Sequence, residues 1–436
     1  MNAAAAGADV ATFGGATPLR GRVQVPGDKG ISHRALLFAA LAVGDSTLAG
    51  LASGADVAST RAALDALGVV SEHDGDLVTL HGRGIDAWRE PENAIDCGNS
   101  GTTMRMLGGV LAGRPFLSVL TGDASLRARP MARIVEPLKA MGAAVDGRAG
   151  GSLAPLVFRG GSLRGRPFDL AVASAQVKTA LLLAGLQADG VTSVTEPSPS
   201  RDHTERMLAT LGVPIDVDGT TVRVRAGAPG PFELAVPGDP SSAAFWCVAA
   251  SITPGSEIAI ERVAINPTRI AFVAVLRRMG ASIDVEPTGE ELGEPVGDLR
   301  VTAAPLRATT IGGDEIPLVQ DEIPVLAVAA AFADGVTEIT DAAELVVKES
   351  DRLATVGAVL TELGVGVESS ADGLVIRGGR PHAGHFTSHG DHRVAMAAAV
   401  GAHAIDGAST VHGWRDSAVS YPEFLADLAR LTAPTA

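Results

Sequence analysis

One pattern, written six times, limits what this chain can fold into more than any other feature. Ser32, Ser100, Ser174, Ser241, Asp321 and Asp391 each open a run of Ala- and Leu-rich sequence with helical character, and the openings lie 67 to 80 residues apart. That spacing is too long for the common solenoid repeats and suits a multi-element α/β unit. A Gly-containing turn and a short β-branched strand follow, as in GDSTLAGL, DGVTSVTEP, PGSEIAIERV and DGVTEITDA. In the first five units a second helix then ends in Leu or Met plus Gly: Leu67-Gly68, Met141-Gly142, Leu211-Gly212, Met279-Gly280 and Leu363-Gly364. Gly at that place is the expected left-handed helix terminator. Each unit reads as βαβαββ or close to it. The sixth has its second helix, PEFLADLARL, and the chain ends before the strand. The N-terminal MNAAAAGADVATFGGA lacks the basic start and sustained apolar core of a signal peptide and reads as a flexible tail.

The repeat has an electrostatic consequence. Ser and Asp are good N-caps, and a helix N-terminus carries unpaired N–H groups and about half a positive charge. Converging termini attract anions without any excess of basic side chains. This matters because the chain's formal net charge is −15, and only 3% of its residues are aromatic. Both values argue against nucleic acid, which needs a basic surface and stacking platforms. No charge-free apolar stretch of about 20 residues is present, so no membrane span is expected, and the reading is a cytoplasmic protein. With 46% hydrophobic residues over 436, two domains with large cores are expected. Cys97 and Cys247 form no CxxC pair and read as buried small hydrophobes.

The positive charges are distributed unevenly. Four lysines stand against 31 arginines, and three of the four occur among Ser, Gln, Asp, Glu, His and Arg: Lys29 in PGDKGISHR, Lys178 in ASAQVKTALLL and Lys348 in LVVKESDR. Lys139, in EPLKAMGAAV, reads as an ordinary helical residue. A compact ammonium and a planar guanidinium do different work, so the three are candidates for sites where Arg will not serve. In PGDKGISHR, Lys29 and Arg34 flank a Gly turn and a helix cap, without the spacing of a Walker A loop. CGNSGTTMR places Gly98, Ser100, Gly101 and Thr102 at a helix start, where backbone can approach an anion. Lys348 and Arg352 are four apart, which on one helix face calls for something anionic between them; Glu349 stands ready to neutralise or to handle a proton. GDHR puts Asp391, His392 and Arg393 at another helix start, and QDEIP puts Asp321 and Glu322 at the head of a nearly all-apolar helix, Asp321 as cap or as functional group.

PGDKGISHRALL, CGNSGTTMR, SAQVKTALLLAGL, SRDHTERML, GDPSSAAF, VKESDR and GDHRVAM, in this order from about Pro18 to Phe424, resemble the 5-enolpyruvylshikimate-3-phosphate synthase family. The SAQVK and SRDHTE forms are similar to its bacterial class II branch. The resemblance implies an α/β, two-domain enolpyruvyl transferase fold, each domain three βαβαββ units in an inside-out α/β barrel. Residues 28–236 would form one domain, and residues 1–27 plus 237–436 the other. It further implies transfer of the enolpyruvyl group of phosphoenolpyruvate to the 5-hydroxyl of shikimate 3-phosphate, by a monomer, without metal or organic cofactor. Lys29 would touch both substrates. Arg34, Ser174, Ala175, Gln176, Arg201, Asp321 and Lys348 would hold shikimate 3-phosphate. Gly101, Arg129, Gln176, Arg352 and Arg393 would hold phosphoenolpyruvate. Asp321 would be the base for the 5-hydroxyl and Glu349 the group that moves the proton at the enol carbon, with Lys29 and His392 also in the catalytic set. Lys178 receives no role.

Four positions depart from the family pattern: Gly30 where Ser is common, Met106, Glu344, and Val419 where one branch has a phosphate-binding Lys. Gly101 leaves room for the inhibitor glyphosate, so a sensitive enzyme is expected. Two rival readings are the sister transferase family acting on UDP-N-acetylglucosamine, with Lys-Asn near its start and a loop Cys as acid, and a non-catalytic metabolite-binding protein on the same scaffold. Gly30 after Lys29 counts against the first, and the presence of both proton-handling groups against the second.

Overall fold

Left-handed glycines close the second helices of the first five repeats. In the computed structural model, which describes residues 9–433, Gly68, Gly142, Gly212, Gly280 and Gly364 all have φ between +76° and +105°. Only glycine adopts this geometry without a steric cost. The helices they terminate are Ala55–Ala66, Ala132–Met141, His203–Thr210, Ala271–Arg278 and Arg352–Glu362.

The chain divides into two compact units. One contains residues up to Pro26, Pro237–Gly289 and the chain from Pro295 onward; the other contains Gly27–Val236 and Glu290–Glu294. Each holds three nearly fully buried helices against open sheets. In the second unit these are Lys29–Leu41, Gly101–Leu111 and Ala175–Gly185; in the first they are Pro240–Ile252, Ile323–Ala331 and His392–His403. All 13 residues of Pro240–Ile252 and all nine of Ile323–Ala331 are buried, which explains their lack of a polar face. Small residues set the packing distance. A Cβ on Gly109 would lie 2.1 Å from the Ala180 carbonyl oxygen, so these two helices meet backbone to backbone.

Among the described residues, five of the six sheets share one plan. Ile95–Asp96 runs parallel to Ser118–Thr121, which pairs antiparallel with Leu153–Gly160, which pairs antiparallel with Ala144–Arg148. Four further sheets repeat this order. In two of them the outer strand comes from far along the chain. Glu233–Ala235 completes the sheet of Val43–Ala49, and Arg20–Gln24 completes that of Glu257–Ala264. The sixth sheet has three strands, His385–Thr387, Ala408–His412 and Val10–Gly14.

Three expectations are corrected. Among the described residues no sheet closes on itself, so the α/β units form open sheets and not a barrel. The N-terminal segment is no tail over its described part: Val10–Gly14 pairs with Ala408–His412 and buries Ala11 and Phe13, the latter edge-on to Trp414 at 5.9 Å. Residues 1–8 lie outside the described residues. Three of the six helix openings are also shifted, and the one read at Asp321 starts at Ile323 behind Glu322. Asp28 and Asp239, not Ser32 and Ser241, cap their helices, accepting from Ile31 N and Ser241 N. Ser32 lies inside its helix, donating to the Asp28 carbonyl and accepting from Ala52 N.

Candidate active site

Helix heads meet within each unit. In the first unit, the Ser241 hydroxyl donates to Glu322 Oε1 at 2.5 Å, and Arg393 Nη1 donates to the Asp321 carbonyl at 3.2 Å. In the second, Gln176 Nε2 donates to Thr102 Oγ1 at 2.9 Å, and Arg34 Nη2 to Thr179 Oγ1 at 3.0 Å. The convergence expected of the repeats therefore holds for the three heads of each unit taken separately.

The first unit's cluster is organised by Arg352, only 1% exposed. Its Nε donates to Asp391 Oδ2 at 2.8 Å, Nη1 to Asp321 Oδ1 at 3.1 Å and Nη2 to Glu349 Oε2 at 2.6 Å. Arg393 Nε lies 3.7 Å from Asp321 Oδ1. Burial opposes the Arg352 charge, but the three carboxylates more than offset it and hold the group firmly protonated. Burial would likewise raise the Asp391 pKa. The Arg352 charge overcomes this and holds it below the usual carboxylate value. Asp391 also caps His392–His403 through Arg393 N at 2.9 Å. Asp321, Glu349, Arg352 and Arg393 are thus brought together, with the buried His392 at the first position of the capped helix.

Lys348 and Arg352 do not share a helix face. Asp351 caps Arg352–Glu362 by accepting from Ala354 N, and Lys348 stands before that cap in extended conformation, closing the short helix Ala343–Val347. Asp321 is not an N-cap either: the helix begins at Ile323, and the Asp321 carboxylate turns to Arg352.

The second unit holds the other predicted residues. Lys29 Nζ pairs with Asp56 Oδ2 at 2.9 Å. Arg34 is buried, donating Nε to Thr204 Oγ1 at 2.7 Å and Nη1 to the Gly30 carbonyl at 2.9 Å; burial lowers its pKa to about 10, leaving it cationic at neutral pH. Gly101 begins its helix behind the Ser100 cap, and an added Cβ would lie 2.7 Å from Arg105 Nη1 and 3.4 Å from Arg129 Nη1. Arg105 Nη1 donates to Gln176 Oε1 at 2.6 Å, and Arg129 Nη2 to Asn99 Oδ1 at 2.6 Å. Behind this helix head, His33 Nδ1, Thr60 and Thr103 form a buried chain to Ser100, and burial keeps His33 neutral with a pKa of about 3. Ser174 caps Ala175–Gly185, and Arg201 stands just before His203–Thr210.

Of the departing positions, Met106 is buried within its helix, whereas Glu344 and Val419 lie half-buried in short helices. A Cβ at Gly30 would meet Asp28 Oδ1 at 3.1 Å and Arg34 Nη1 at 3.4 Å, so glycine suits the close approach of Arg34. Cys97 and Cys247 are buried as expected, and burial pushes the Cys97 thiol up to about 12. Sequence reasoning missed Asp56, Arg105 and the pairing of Asp391 with Arg352. Arg105 stands in the CGNSGTTMR motif one turn after Gly101; Asp56, in SGADVAST, carries no local signal. Among the described residues, no cluster of His, Cys, Asp and Glu could hold a metal ion, and no helix is long and apolar enough to cross a membrane.

Comparison with known proteins gives the family. The family model of EPSP synthase (3-phosphoshikimate 1-carboxyvinyltransferase) matches residues 14–428. The chain is 52% identical over 442 residues to the 3-phosphoshikimate 1-carboxyvinyltransferase of Synechococcus sp. strain JA-3-3Ab, covering 100% of this chain and 99% of the relative. It is 54% identical over 417 residues to that of Gloeobacter violaceus, covering 95% and 96%. Among solved structures, an EPSP synthase from Acinetobacter baumannii superposes with a TM-score of 0.87 at 40% identity, over 97% of this chain and 98% of that one. The enolpyruvyl transferase NikO from Streptomyces tendae, at 20% identity and a TM-score of 0.78 over 97% of each chain, shares the fold. The chain belongs to the EPSP synthase family.

Proposed function

We propose that the two clusters serve the reaction in which the carboxyvinyl group of phosphoenolpyruvate passes to the 5-hydroxyl of shikimate 3-phosphate, with release of phosphate. The observation that carries the assignment of roles is the shared guanidinium of Arg352. It binds Asp321 at 3.1 Å and Glu349 at 2.6 Å, fixing two proton-handling groups side by side. Addition needs one group to take the 5-hydroxyl proton and another to protonate the methylene carbon of phosphoenolpyruvate. Elimination then needs a base at that carbon as phosphate leaves. Each such transfer contributes about 10²–10⁴-fold.

Asp321 is the base for the hydroxyl, and Glu349 exchanges the proton at the enol carbon. Arg352, Arg393, Arg129, Gly101 and Gln176 hold phosphoenolpyruvate, with His392 beside Arg393. Arg34, Ser174, Ala175, Gln176, Arg201, Asp321 and Lys348 hold shikimate 3-phosphate, and Lys29 touches both. Arginine forks clamp phosphate and carboxylate bidentately, which offsets repulsion between two anionic substrates. A substrate carboxylate placed on Arg352 competes with Glu349 for the guanidinium, and that competition favours the protonated acid needed for addition. The domains, one continuous (28–236) and one discontinuous (1–27 plus 237–436), are taken as three repeats each in a monomer. The rival transfer to UDP-N-acetylglucosamine lacks its loop acid: Cys97 is fully buried, and its raised pKa makes it a poor proton donor.

Phosphate release from phosphoenolpyruvate in the presence of shikimate 3-phosphate tests the assignment in wild type, Asp321→Asn and Glu349→Gln. Losses of at least about 100-fold in kcat, with each KM changed by less than about fivefold, are expected of both variants. Wild-type-like kcat in either removes that residue from the mechanism.

A further inference from the structure

Lys178 is the one motif lysine without a place in the reaction, yet it is among the most enclosed charges in the protein. Its Nζ lies 2.6 Å from Glu196 Oε2 and 2.7 Å from Glu205 Oε1, and the three side chains are 4%, 2% and 5% exposed. Two buried carboxylates share one ammonium. Such clusters are costly to desolvate, and replacing them with apolar packing is often neutral or stabilising, so stability is a weak reason for their presence.

The bonds of Glu196 suggest a better one. Its Oε1 accepts from the Ser174 backbone N–H at 2.7 Å, and its Oε2 accepts from the Ser200 hydroxyl at 2.8 Å as well as from Lys178. One carboxylate therefore ties down the head of helix Ala175–Gly185, which bears Ser174, Ala175 and Gln176, and the turn that presents Arg201. Glu205, on His203–Thr210, completes the link to a third segment, and after burial its charge is the strongest influence on Arg34. Every segment of this unit that is assigned to shikimate 3-phosphate is thus tied to, or sensed by, the carboxylates that Lys178 joins.

We propose that Lys178 is a positioning residue for the phosphorylated substrate: by bridging Glu196 and Glu205 it sets the geometry and the local charge of the Ser174–Gln176 and Arg201 side of the shikimate 3-phosphate site. Burial opposes the ammonium charge, but the two carboxylates hold its pKa above the ordinary lysine value, so it remains a cation at any working pH. A point charge on a flexible stem meets both oxygens at short range, whereas a planar guanidinium in the same enclosed space pushes them apart. This is a physical reason for Lys in a chain that otherwise uses Arg.

The inference rests on the substrate assignment above, and the test separates the two. The dissociation constant for shikimate 3-phosphate alone is measured by calorimetry for wild type, Lys178→Arg, Lys178→Met and Glu196→Gln. KM for each substrate and the melting temperature are measured alongside. The expected result is a rise of at least about tenfold in Kd and KM for shikimate 3-phosphate in the variants, about 1.4 kcal/mol, with KM for phosphoenolpyruvate within about twofold. If Lys178→Met does not fold, Lys178→Arg and Glu196→Gln carry the test. A lowered melting temperature with unchanged shikimate 3-phosphate affinity, or equal changes in both KM values, assigns Lys178 to structure alone and overturns the inference. A wild type that releases no phosphate with shikimate 3-phosphate refutes the substrate assignment first, and the inference falls with it.

Discussion

Replacing Arg352 with Met keeps a shorter unbranched stem and removes the charge that three carboxylates share. The cost is unequal among them. Asp321 and Glu349 are 16% and 20% exposed and can rehydrate, but the Asp391 side chain is 0% exposed. Leaving one member of a buried pair unpaired costs about 3–5 kcal/mol, a large part of the roughly 5–15 kcal/mol that holds a domain folded. The sign of the pH dependence follows from Asp391. In wild type its folded pKa is depressed below the ordinary 3.8, so its contribution is present above that value and lost as pH falls through the folded pKa. Without Arg352, burial raises the pKa of Asp391, and the ionised form destabilises as pH rises above the carboxylate range. The stability gap between wild type and Arg352→Met is therefore widest near neutral pH and narrows towards pH 4. Urea midpoints across this range measure it directly. A gap that does not change with pH, or one below about 1 kcal/mol at pH 7, refutes the view that Arg352 holds Asp391 ionised in the core.

Other consequences follow from single positions. Lys29→Arg keeps the charge beside Asp56 but not the compact ammonium, and is expected to lower kcat/KM by at least about 100-fold with little change in melting temperature; near-normal turnover means that Lys is not required there. Gly101→Ala drives a Cβ into Arg105 Nη1 and crowds Arg129, breaking the Arg105–Gln176 bond, so KM for phosphoenolpyruvate should rise at least about fivefold. The unmodified Gly101 site is expected to be blocked by glyphosate, and full turnover at millimolar inhibitor would contradict this. Phe13→Ala empties a buried site against Trp414 and is expected to cost about 3–5 kcal/mol, read as a lowered urea midpoint; an unchanged midpoint means that the N-terminal strand adds nothing to its sheet.

The repeats were legible because their markers are local. A left-handed glycine after Leu or Met is dictated by the backbone at that residue alone, and all five adopt the expected sign of φ. The family motifs were legible for the same reason. Features that depend on distant partners were not. The strand Val10–Gly14 is too short and too rich in small residues to announce itself, and it exists because Ala408–His412 offers an unpaired edge nearly 400 residues later. Helix starts were misplaced where two capping residues compete: Asp28 precedes Ser32 by one turn, and its acceptor is the one that reaches Ile31 N. The four-residue spacing of Lys348 and Arg352 misled because the Asp351 cap falls between them. Lys178 could not be read at all without knowing that Glu196 and Glu205, 18 and 27 residues further along the chain, both turn towards it.

The acceptor defines the reaction. Wild-type protein with phosphoenolpyruvate is incubated with shikimate 3-phosphate and, separately, with UDP-N-acetylglucosamine; phosphate release is followed, and the product is identified by NMR. Release with shikimate 3-phosphate alone, together with an enol ether at its 5-oxygen, is the predicted result. Release with UDP-N-acetylglucosamine, or with neither acceptor, contradicts it.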